Sequence, residues 1–140
     1  MKVLFRSAIS LCLLLVASIS IAAETQKKVD FVYFGTQWCS YCRGWLQFDL
    51  PKLQQSEAFQ KVRFTKVEKA ITAQIPPASS FPPEIAGMRD TIAEFPGLKD
   101  RAASPMFAIV VDGKAVWGKL GVPRNEDVIA EIEKALATTQ

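Results

Sequence analysis

The chain has 140 residues, 49% of them hydrophobic, which is enough for one compact domain with its own core but short for two. The formal net charge is +3 and 22% of the residues are charged, so the composition is not that of a disordered chain. The sequence contains no histidine, and this excludes Ser–His and Cys–His nucleophilic catalysis, His-ligated metal sites and covalent haem attachment.

Residues 1–23 have the layout of a secretory signal peptide. Lys2 and Arg6 provide a positive start, and an uncharged apolar run from Ala8 to Ala22 follows with small residues at its end. The run is short for a transmembrane helix, which needs ~20 apolar residues, so an uncleaved membrane anchor is the less favoured alternative. We therefore predict an exported protein, in a bacterial periplasm, with residues 24–140 as its single domain.

Cleavage of this segment would change both the charge and the cysteine content. It would remove Lys2 and Arg6 and no acid, so the net charge would fall by two, from +3 to +1. A nearly neutral domain gives no reason to expect nucleic acid or an anionic membrane surface as a partner. Cleavage would also remove Cys12 and leave Cys39 and Cys42, and one close pair is not a multi-bridge disulfide scaffold.

The first half of the domain predicts a strand, a helix and a second strand. Val29–Phe34 is rich in β-branched and aromatic residues, which indicates a buried strand. A helix is predicted to begin at Cys39, to kink or restart at Pro51 and to continue to Phe59. Val62–Val67 alternates apolar and polar residues, which is typical of a strand with one buried face. A helix between two successive strands implies that the strands are parallel.

The last part of the chain predicts an antiparallel hairpin and a helix. Phe107–Val111 is a continuous apolar strand, and Asp112-Gly113 provides a hairpin turn into Ala115–Trp117. A last helix is predicted to begin at Asn125 or Glu126, with apolar residues at helical spacing. Together the elements predict an α/β fold with a mixed four-stranded sheet flanked by helices.

The segment from about residue 71 to residue 103 separates these two parts and is rich in proline. Pro82-Pro83 predicts the start of a short helix that runs through Phe95 and ends at Gly97. We interpret the segment as an insertion with one helix and an ordered loop, and not as a second domain. The apolar residues along one side of its helix would be Ile85, Met88, Ile92 and Phe95.

The run Cys39-Ser40-Tyr41-Cys42, between the first strand and the following helix, is the feature that indicates chemistry. The first N–H groups of a helix lack internal partners and carry partial positive charge, so a thiolate there is stabilised and its pKa is expected to fall below about 8.5. Cys42, one turn later, would lie on the same side of the helix and could attack a mixed disulfide formed on Cys39. The pair predicts thiol–disulfide exchange through a redox-active Cys39–Cys42 disulfide, with no other cofactor.

A stabilising disulfide and a metal site are the other interpretations of this pair. A bridge across four residues closes a very short loop, so it would contribute little stability. A metal ion needs further ligands, and the sequence supplies neither a second cysteine pair nor a histidine. The residues therefore favour redox chemistry and predict no metal.

The run from Phe31 to Cys42 resembles the strand and active-site turn of the thioredoxin superfamily. Ser104-Pro105, just before the apolar strand, is similar to the cis-proline site of that family. The hairpin and the last helix are similar to the end of the family's fold. The similarity covers about residues 29–69 and 102–137, and the chain most resembles periplasmic thioredoxin-like thiol–disulfide oxidoreductases.

The resemblance implies roles for several residues around the two cysteines. A cis bond at Pro105 would place the backbone of Ser104 beside the sulfurs, where it can pair with an extended substrate segment. Trp38 would pack beside the site as part of the substrate surface, with a simple core aromatic as the alternative. Ser40 and Tyr41, between the cysteines, would modulate the redox potential.

The chain departs from thioredoxins at Tyr33 and at the two residues between the cysteines. Thioredoxins carry a buried acid on the strand before the cysteines, which helps to deprotonate the second cysteine, and Tyr33 stands there in this chain. Lys66 stands where thioredoxins have a lysine near that acid, and it is either the one charge near the site or a surface lysine. Ser-Tyr also replaces Gly-Pro between the cysteines and resembles the Gly-Tyr of periplasmic disulfide isomerases. We expect a potential less reducing than the roughly −270 mV of thioredoxin.

The resemblance implies an enzyme that exchanges thiols and disulfides with exported proteins, as a reductase rather than an oxidase. A membrane or periplasmic redox partner would recharge it, and we expect a monomer with no nucleic-acid partner. Two alternatives stay open. One is a non-catalytic thioredoxin-fold binding module, and the other is a copper-handling protein, for which Met88 and Met106 are the candidate methionine ligands.

Overall fold

The computed structural model describes residues 28–139. The predicted signal peptide, including Cys12, lies outside the described residues. Within residues 28–139, no helix combines the length and the apolar character that a membrane crossing requires.

The helices and strands follow the order that the sequence predicts. The strands are β1 (Val29–Gly35), β2 (Arg63–Glu68), β3 (Met106–Val111) and β4 (Lys114–Leu120). The α-helices are α1 (Ser40–Gly44), α2 (Leu50–Leu53), α3 (Glu57–Gln60), α4 (Arg89–Ala93) and α5 (Asn125–Ala137). A π-helical segment (Trp45–Asp49) joins α1 to α2, and 3₁₀ turns lie at Ala78–Ser80 and Ala86–Met88.

The four strands form one mixed sheet in the order β2-β1-β3-β4. β1 is parallel to β2 and antiparallel to β3, and β3 is antiparallel to β4. The predicted α/β fold class, with a mixed four-stranded sheet flanked by helices, is therefore confirmed. Because β1 lies in the interior of the sheet, its seven residues are all buried.

An aromatic and aliphatic core covers one face of the sheet. Phe31 and Tyr33 of β1 point toward this face, together with Phe107 of β3. The rings pack closely: the Tyr33 ring lies parallel to that of Trp45, with centroids 5.1 Å apart, and Phe107 meets Trp45 edge-on at 4.8 Å. The helices that follow β1 and the final helix close this layer with Trp45, Leu53, Phe59, Val128 and Ile132.

The segment predicted as an insertion forms the layer on the opposite face of the sheet. The alternate residues of β1, Val32 and Phe34, point into this second core. Phe81 meets Phe34 edge-on with ring centroids 5.6 Å apart. The stretch between β2 and β3 is thus part of the hydrophobic interior. Its buried residues are Ile75, Phe81, Ile85, Met88, Ile92 and Leu98.

The single helix predicted from Pro82 through Phe95 is wrong in extent. The residue before a proline is driven toward an extended conformation, and Phe81 has φ −92° and ψ 146°. The chain then makes separate turns, with Ile85 N–H donating to the Pro82 carbonyl at 3.0 Å, before the short α4. Burial of Ile85, Met88 and Ile92 is confirmed, whereas Phe95 is only half-buried.

The helix predicted from Cys39 to Phe59 is interrupted. Pro51 has no N–H to donate, and the preceding turn widens, so that Leu50 N–H donates to the Trp45 carbonyl five residues back. Helix α2 ends at Leu53, and Ser56 begins α3 separately because its Oγ accepts a hydrogen bond from Phe59 N–H at 3.2 Å.

Three chain segments meet at one edge of the sheet, the edge at which β1 and β2 end and β3 begins. Gly35, at the carboxyl end of β1, is in register with Glu68 at the carboxyl end of the parallel strand β2. Phe34 pairs with Met106 at the start of the antiparallel strand β3. The residues that follow β1 and β2 therefore lie beside those that precede β3. This edge carries the candidate site.

Candidate active site

Cys39 occupies the N-cap of α1, as the sequence predicts. Its backbone is extended, with φ −89° and ψ 118°, and its Sγ accepts a hydrogen bond from Cys42 N–H at 3.3 Å. Cys39 N–H donates to the Thr36 carbonyl at 3.2 Å, which closes the turn between β1 and the helix. The sulfur thus takes the position that a serine or aspartate oxygen takes at other helix starts.

The two sulfurs are unequal in exposure. Both cysteines are free thiols; Cys39 is 5% exposed, while Cys42 is 0% exposed. Burial raises the pKa of the Cys42 thiol, and its hydrogen bond with Cys39 raises it further. Cys39 is therefore the more accessible residue of the pair, and Cys42 is fully buried.

Ser104 and Pro105 lie against the sulfurs. The Ser104–Pro105 peptide bond is cis. The Cys39 thiol donates to the Ser104 carbonyl, with an Sγ to oxygen distance of 3.8 Å. Gly121 N–H donates to the Pro105 carbonyl at 2.9 Å and ties this turn to the end of β4. The structure therefore brings together Cys39, Cys42, Ser104 and Pro105, which the sequence had placed in one site.

The aromatic side chains beside the cysteines face solvent. Trp38 is 76% exposed and Tyr41 is 73% exposed, and Ser40, the first residue of α1, is exposed as well. Trp38 is therefore not a core aromatic. Exposed rings of this size on either side of a reactive sulfur form a surface suited to apolar contact with a partner.

The lysine near the sulfurs is Lys69 and not Lys66. Lys66 is exposed on β2, which is an outer strand of the sheet. Lys69 is 4% exposed, and its Nζ donates to the Ser104 hydroxyl at 2.8 Å. Sequence reasoning missed Lys69, although its position directly after a strand parallel to β1 placed it at the edge that carries Cys39.

Tyr33 occupies the position of the acid that thioredoxins carry. It is buried, and its hydroxyl faces the Cys42 thiol across Gly35. Apart from this weak contact with sulfur, the hydroxyl has no hydrogen-bond partner among the described residues. Burial raises the pKa of Tyr33 far above its ordinary value, and the hydrogen bond with Cys42 raises it further. The residue therefore stays protonated, and its hydroxyl can donate a hydrogen bond to a thiolate at Cys42.

The candidate copper ligands are not brought to the cysteines. Met88 and Met106 pack in the core layer on one face of the sheet, whereas Cys39 and Cys42 belong to the layer on the other face. Within residues 28–139, no cluster of three or more histidine, cysteine or acidic side chains has the arrangement of a metal site.

No protein-family model matches the sequence, and no curated protein matches it. Solved structures do match. A thioredoxin-family thiol:disulfide interchange protein from Chlorobium tepidum TLS has 19% identity and a TM-score of 0.50, over 78% of this chain and 80% of that chain. Thioredoxin f2 from Chlamydomonas reinhardtii has 25% identity and a TM-score of 0.48, over 79% and 81% respectively. The reduced periplasmic thioredoxin SoxS from Paracoccus pantotrophus has 15% identity and a TM-score of 0.47, over 81% and 100%.

The likeness to the Chlorobium protein is one of fold. The chain therefore has a thioredoxin-like fold.

Proposed function

We propose that this protein is a thiol–disulfide oxidoreductase that reduces disulfides in exported proteins. The observation that carries the proposal is the inequality of the two cysteines: Cys39 is 5% exposed and lies against Ser104, whereas Cys42 is fully buried. Cys39 can reach a substrate, and Cys42 can reach only Cys39. This is the geometry required of an attacking thiol and a resolving thiol.

The first step is attack by the Cys39 thiolate on one sulfur of a substrate disulfide. A bond forms between Cys39 Sγ and that sulfur, the substrate S–S bond breaks, and the departing substrate sulfur leaves as a thiolate that takes a proton from water. The N–H of Cys42, 3.3 Å from Cys39 Sγ, stabilises negative charge on the attacking sulfur before the bond forms.

The second step is attack by Cys42 on the Sγ of Cys39. Cys42 loses its proton to water, and its thiolate forms a bond with Cys39 Sγ. The bond between Cys39 Sγ and the substrate sulfur breaks, and that sulfur leaves as the second substrate thiolate. Two electrons have then passed from the cysteine pair to the substrate. Because the pKa of Cys42 is raised, loss of this proton is the demanding part of the step.

Extended and partly apolar protein segments are the substrates that suit this surface. The Ser104 carbonyl lies beside Cys39, at the start of β3, where an extended segment can align its backbone with the chain. The exposed rings of Trp38 and Tyr41, within two residues of Cys39 along the chain, offer apolar area for contact with such a segment.

Reduction of the Cys39–Cys42 disulfide, which returns the protein to its active form, requires a second protein. The oxidised pair would accept two electrons from a dithiol on a membrane or periplasmic redox partner. Export is supported by the pattern of residues 1–23, with Lys2 and Arg6 before an apolar run.

Insulin reduction with dithiothreitol as electron donor tests the activity. We expect Cys39→Ser to reduce the rate to that of dithiothreitol alone. Cys42→Ser should instead accumulate a mixed disulfide on Cys39, visible as an adduct by mass spectrometry. Activity that survives Cys39→Ser would refute the mechanism and favour the non-catalytic binding module.

The direction of electron flow needs a separate measurement. Thiol trapping in cells that export the protein reports the redox state of Cys39 and Cys42. A reductase should be found mostly as the dithiol, because its partner keeps it reduced. A protein found mostly as the disulfide would refute the reductase direction while leaving thiol–disulfide exchange in place.

A further inference from the structure

Lys69 is a buried cation at the edge of the sheet that carries the cysteines. It is 4% exposed, and it directly follows β2. Its backbone N–H donates to the Gly35 carbonyl at 3.0 Å, which ties the end of β2 to the end of β1. A lysine is rarely buried to this degree unless a partner compensates its charge.

The ammonium group makes three hydrogen bonds, all to neutral acceptors. Its Nζ lies 2.9 Å from the Ala70 carbonyl, 2.9 Å from the Ala103 carbonyl and 2.8 Å from the Ser104 hydroxyl. Among the described residues, no carboxylate forms an ion pair with it. The hydrogen-bonding capacity of the ammonium is therefore filled, but its charge is not balanced.

The two cysteines are the groups placed to balance this charge. Ser104 joins them to Lys69, because its hydroxyl accepts from Nζ while its carbonyl accepts from the Cys39 thiol at 3.8 Å. Burial lowers the pKa of Lys69, and negative charge on Cys42 and Cys39 acts in the opposite direction. A thiolate at this site would thus be the missing counter-ion.

We propose that Lys69 is a positioning residue that supplies the counter-charge for thiolates of the Cys39–Cys42 pair and holds the Ala103–Ser104 backbone against Cys39. The inference rests on the proposed thiol–disulfide exchange. Lys69 takes no part in bond making, and its effect passes through the charge on sulfur and through the position of Ser104.

The charge of Lys69 acts on one redox state only. Oxidation of the pair by glutathione disulfide forms the Cys39–Cys42 bond, passes two electrons to glutathione and yields two molecules of glutathione thiol. The disulfide product carries no charge, whereas the reduced pair can carry a thiolate. A nearby cation therefore stabilises the reduced pair and makes the disulfide a stronger oxidant.

Equilibration with glutathione tests this directly. In Lys69→Met the equilibrium constant for forming the protein disulfide should rise about tenfold, as expected for loss of one close charge interaction. Lys69→Arg keeps the positive charge and should stay close to the unaltered protein. Lys61→Met removes an exposed lysine just before β2 and is the matched control.

The outcomes separate this inference from the function on which it rests. If the unaltered protein exchanges with glutathione but Lys69→Met and Lys61→Met give the same constant, the inference is refuted and the function stands. If the unaltered protein does not exchange, both fail. Should Lys69→Met not fold, as judged by circular dichroism, Lys69→Gln is the second neutral variant. It must shift the constant in the same direction, and no shift would refute the inference.

Discussion

The hydroxyl of Tyr33 faces the thiol of Cys42 across Gly35, at the position where thioredoxins carry an acid. A carboxylate accepts a proton, whereas a buried tyrosine that stays protonated donates a hydrogen bond. The buried surroundings of the resolving sulfur therefore contain a hydroxyl donor and, at Lys69, a cation. Both groups favour the deprotonated form of sulfur by stabilising its charge, and neither removes the proton.

Removal of the Tyr33 hydroxyl should slow the second chemical step and leave the fold intact. Tyr33→Phe keeps the ring that stacks on Trp45 at 5.1 Å but deletes the donor that lowers the pKa of Cys42. We expect decay of the mixed disulfide to slow about fivefold, the size of one modest hydrogen bond, and stability to change by less than about 1 kcal/mol. Stopped-flow decay of the mixed disulfide and thermal unfolding measure the two effects. An unchanged decay rate would show that the hydroxyl does not act on Cys42.

A side chain at position 35 should be poorly tolerated. A Cβ added to Gly35 would lie 2.1 Å from Tyr33 Oη and 3.0 Å from Cys42 Sγ. We therefore expect Gly35→Ala to lower the free energy of unfolding by about 1–3 kcal/mol, as overpacking of a core does. Urea denaturation measures the loss. Gly44→Ala is the control, because a Cβ there meets nothing within 4 Å and alanine favours the helix. Equal stabilities of the two variants would contradict the close packing around Gly35.

Loss of the exposed indole should weaken recognition of a protein substrate without changing the chemistry. Trp38 is 76% exposed, so Trp38→Ala should change stability by less than about 0.5 kcal/mol. We expect KM for a protein disulfide to rise about tenfold, equivalent to about 1.4 kcal/mol of lost contact, with glutathione exchange unaffected. Steady-state kinetics with both substrates separate these effects. Phe48→Ala removes another exposed ring, 61% exposed on the π-helical segment, and is expected to leave KM unchanged.

The raised pKa of the Cys42 thiol predicts a loss of stability in alkali. Above its ordinary pKa of 9.0 the unfolded chain releases the Cys42 proton, while the folded protein retains it up to a higher pH. The folded state then binds more protons, so the free energy of unfolding of the reduced protein should fall as the pH rises above 9.0. Lys69 acts in the opposite direction, because its lowered pKa makes the folded state bind fewer protons up to pH 10.5.

Urea denaturation of the reduced protein between pH 8 and 10, compared with that of Cys42→Ser, isolates the contribution of the thiol. The serine variant lacks the titrating group, so its stability should fall less steeply in this range. If the two proteins have the same pH dependence, burial of Cys42 does not perturb its proton affinity in the way the structure indicates.

Local patterns were sufficient for much of the fold. Val29–Phe34 and Phe107–Val111 are short apolar runs bounded by turn residues, and both are strands that the structure extends by one residue. Asn125 begins the last helix as predicted. These elements are determined by residues close in sequence, so the sequence of one chain is sufficient to predict them.

Features that depend on contacts between distant residues were missed. Lys69 became part of the site because β2 and β1 end at the same edge, and its partners Ala103 and Ser104 lie more than thirty residues away. The residue predicted for that place, Lys66, fitted a family pattern, yet it is exposed on the edge strand. The positions of Lys66 and Lys69 relative to the sulfurs follow from the twist and register of the sheet, which cannot be predicted from local sequence patterns.

The proline-rich segment failed to follow a single period for a related reason. Its buried side chains, such as Phe81, Ile85 and Leu98, occupy gaps left by β1 and β3 rather than one stripe of a helix. Periodic spacing of apolar residues reveals regular helices and strands, whereas the path of this segment is determined by its packing against the sheet. Its burial was therefore partly predictable and its path was not.

The stretch between β2 and β3 covers one face of the sheet and then leads directly into Ala103 and Ser104 beside Cys39. An exchange of this stretch between homologues, made in order to alter substrate choice, would at the same time replace half of the buried residues in the core layer on that face of the sheet. Successful chimeras should therefore carry matching residues at Val32, Phe34 and Val110 from the same parent. Evolution of specificity at this surface is coupled to repacking beneath it.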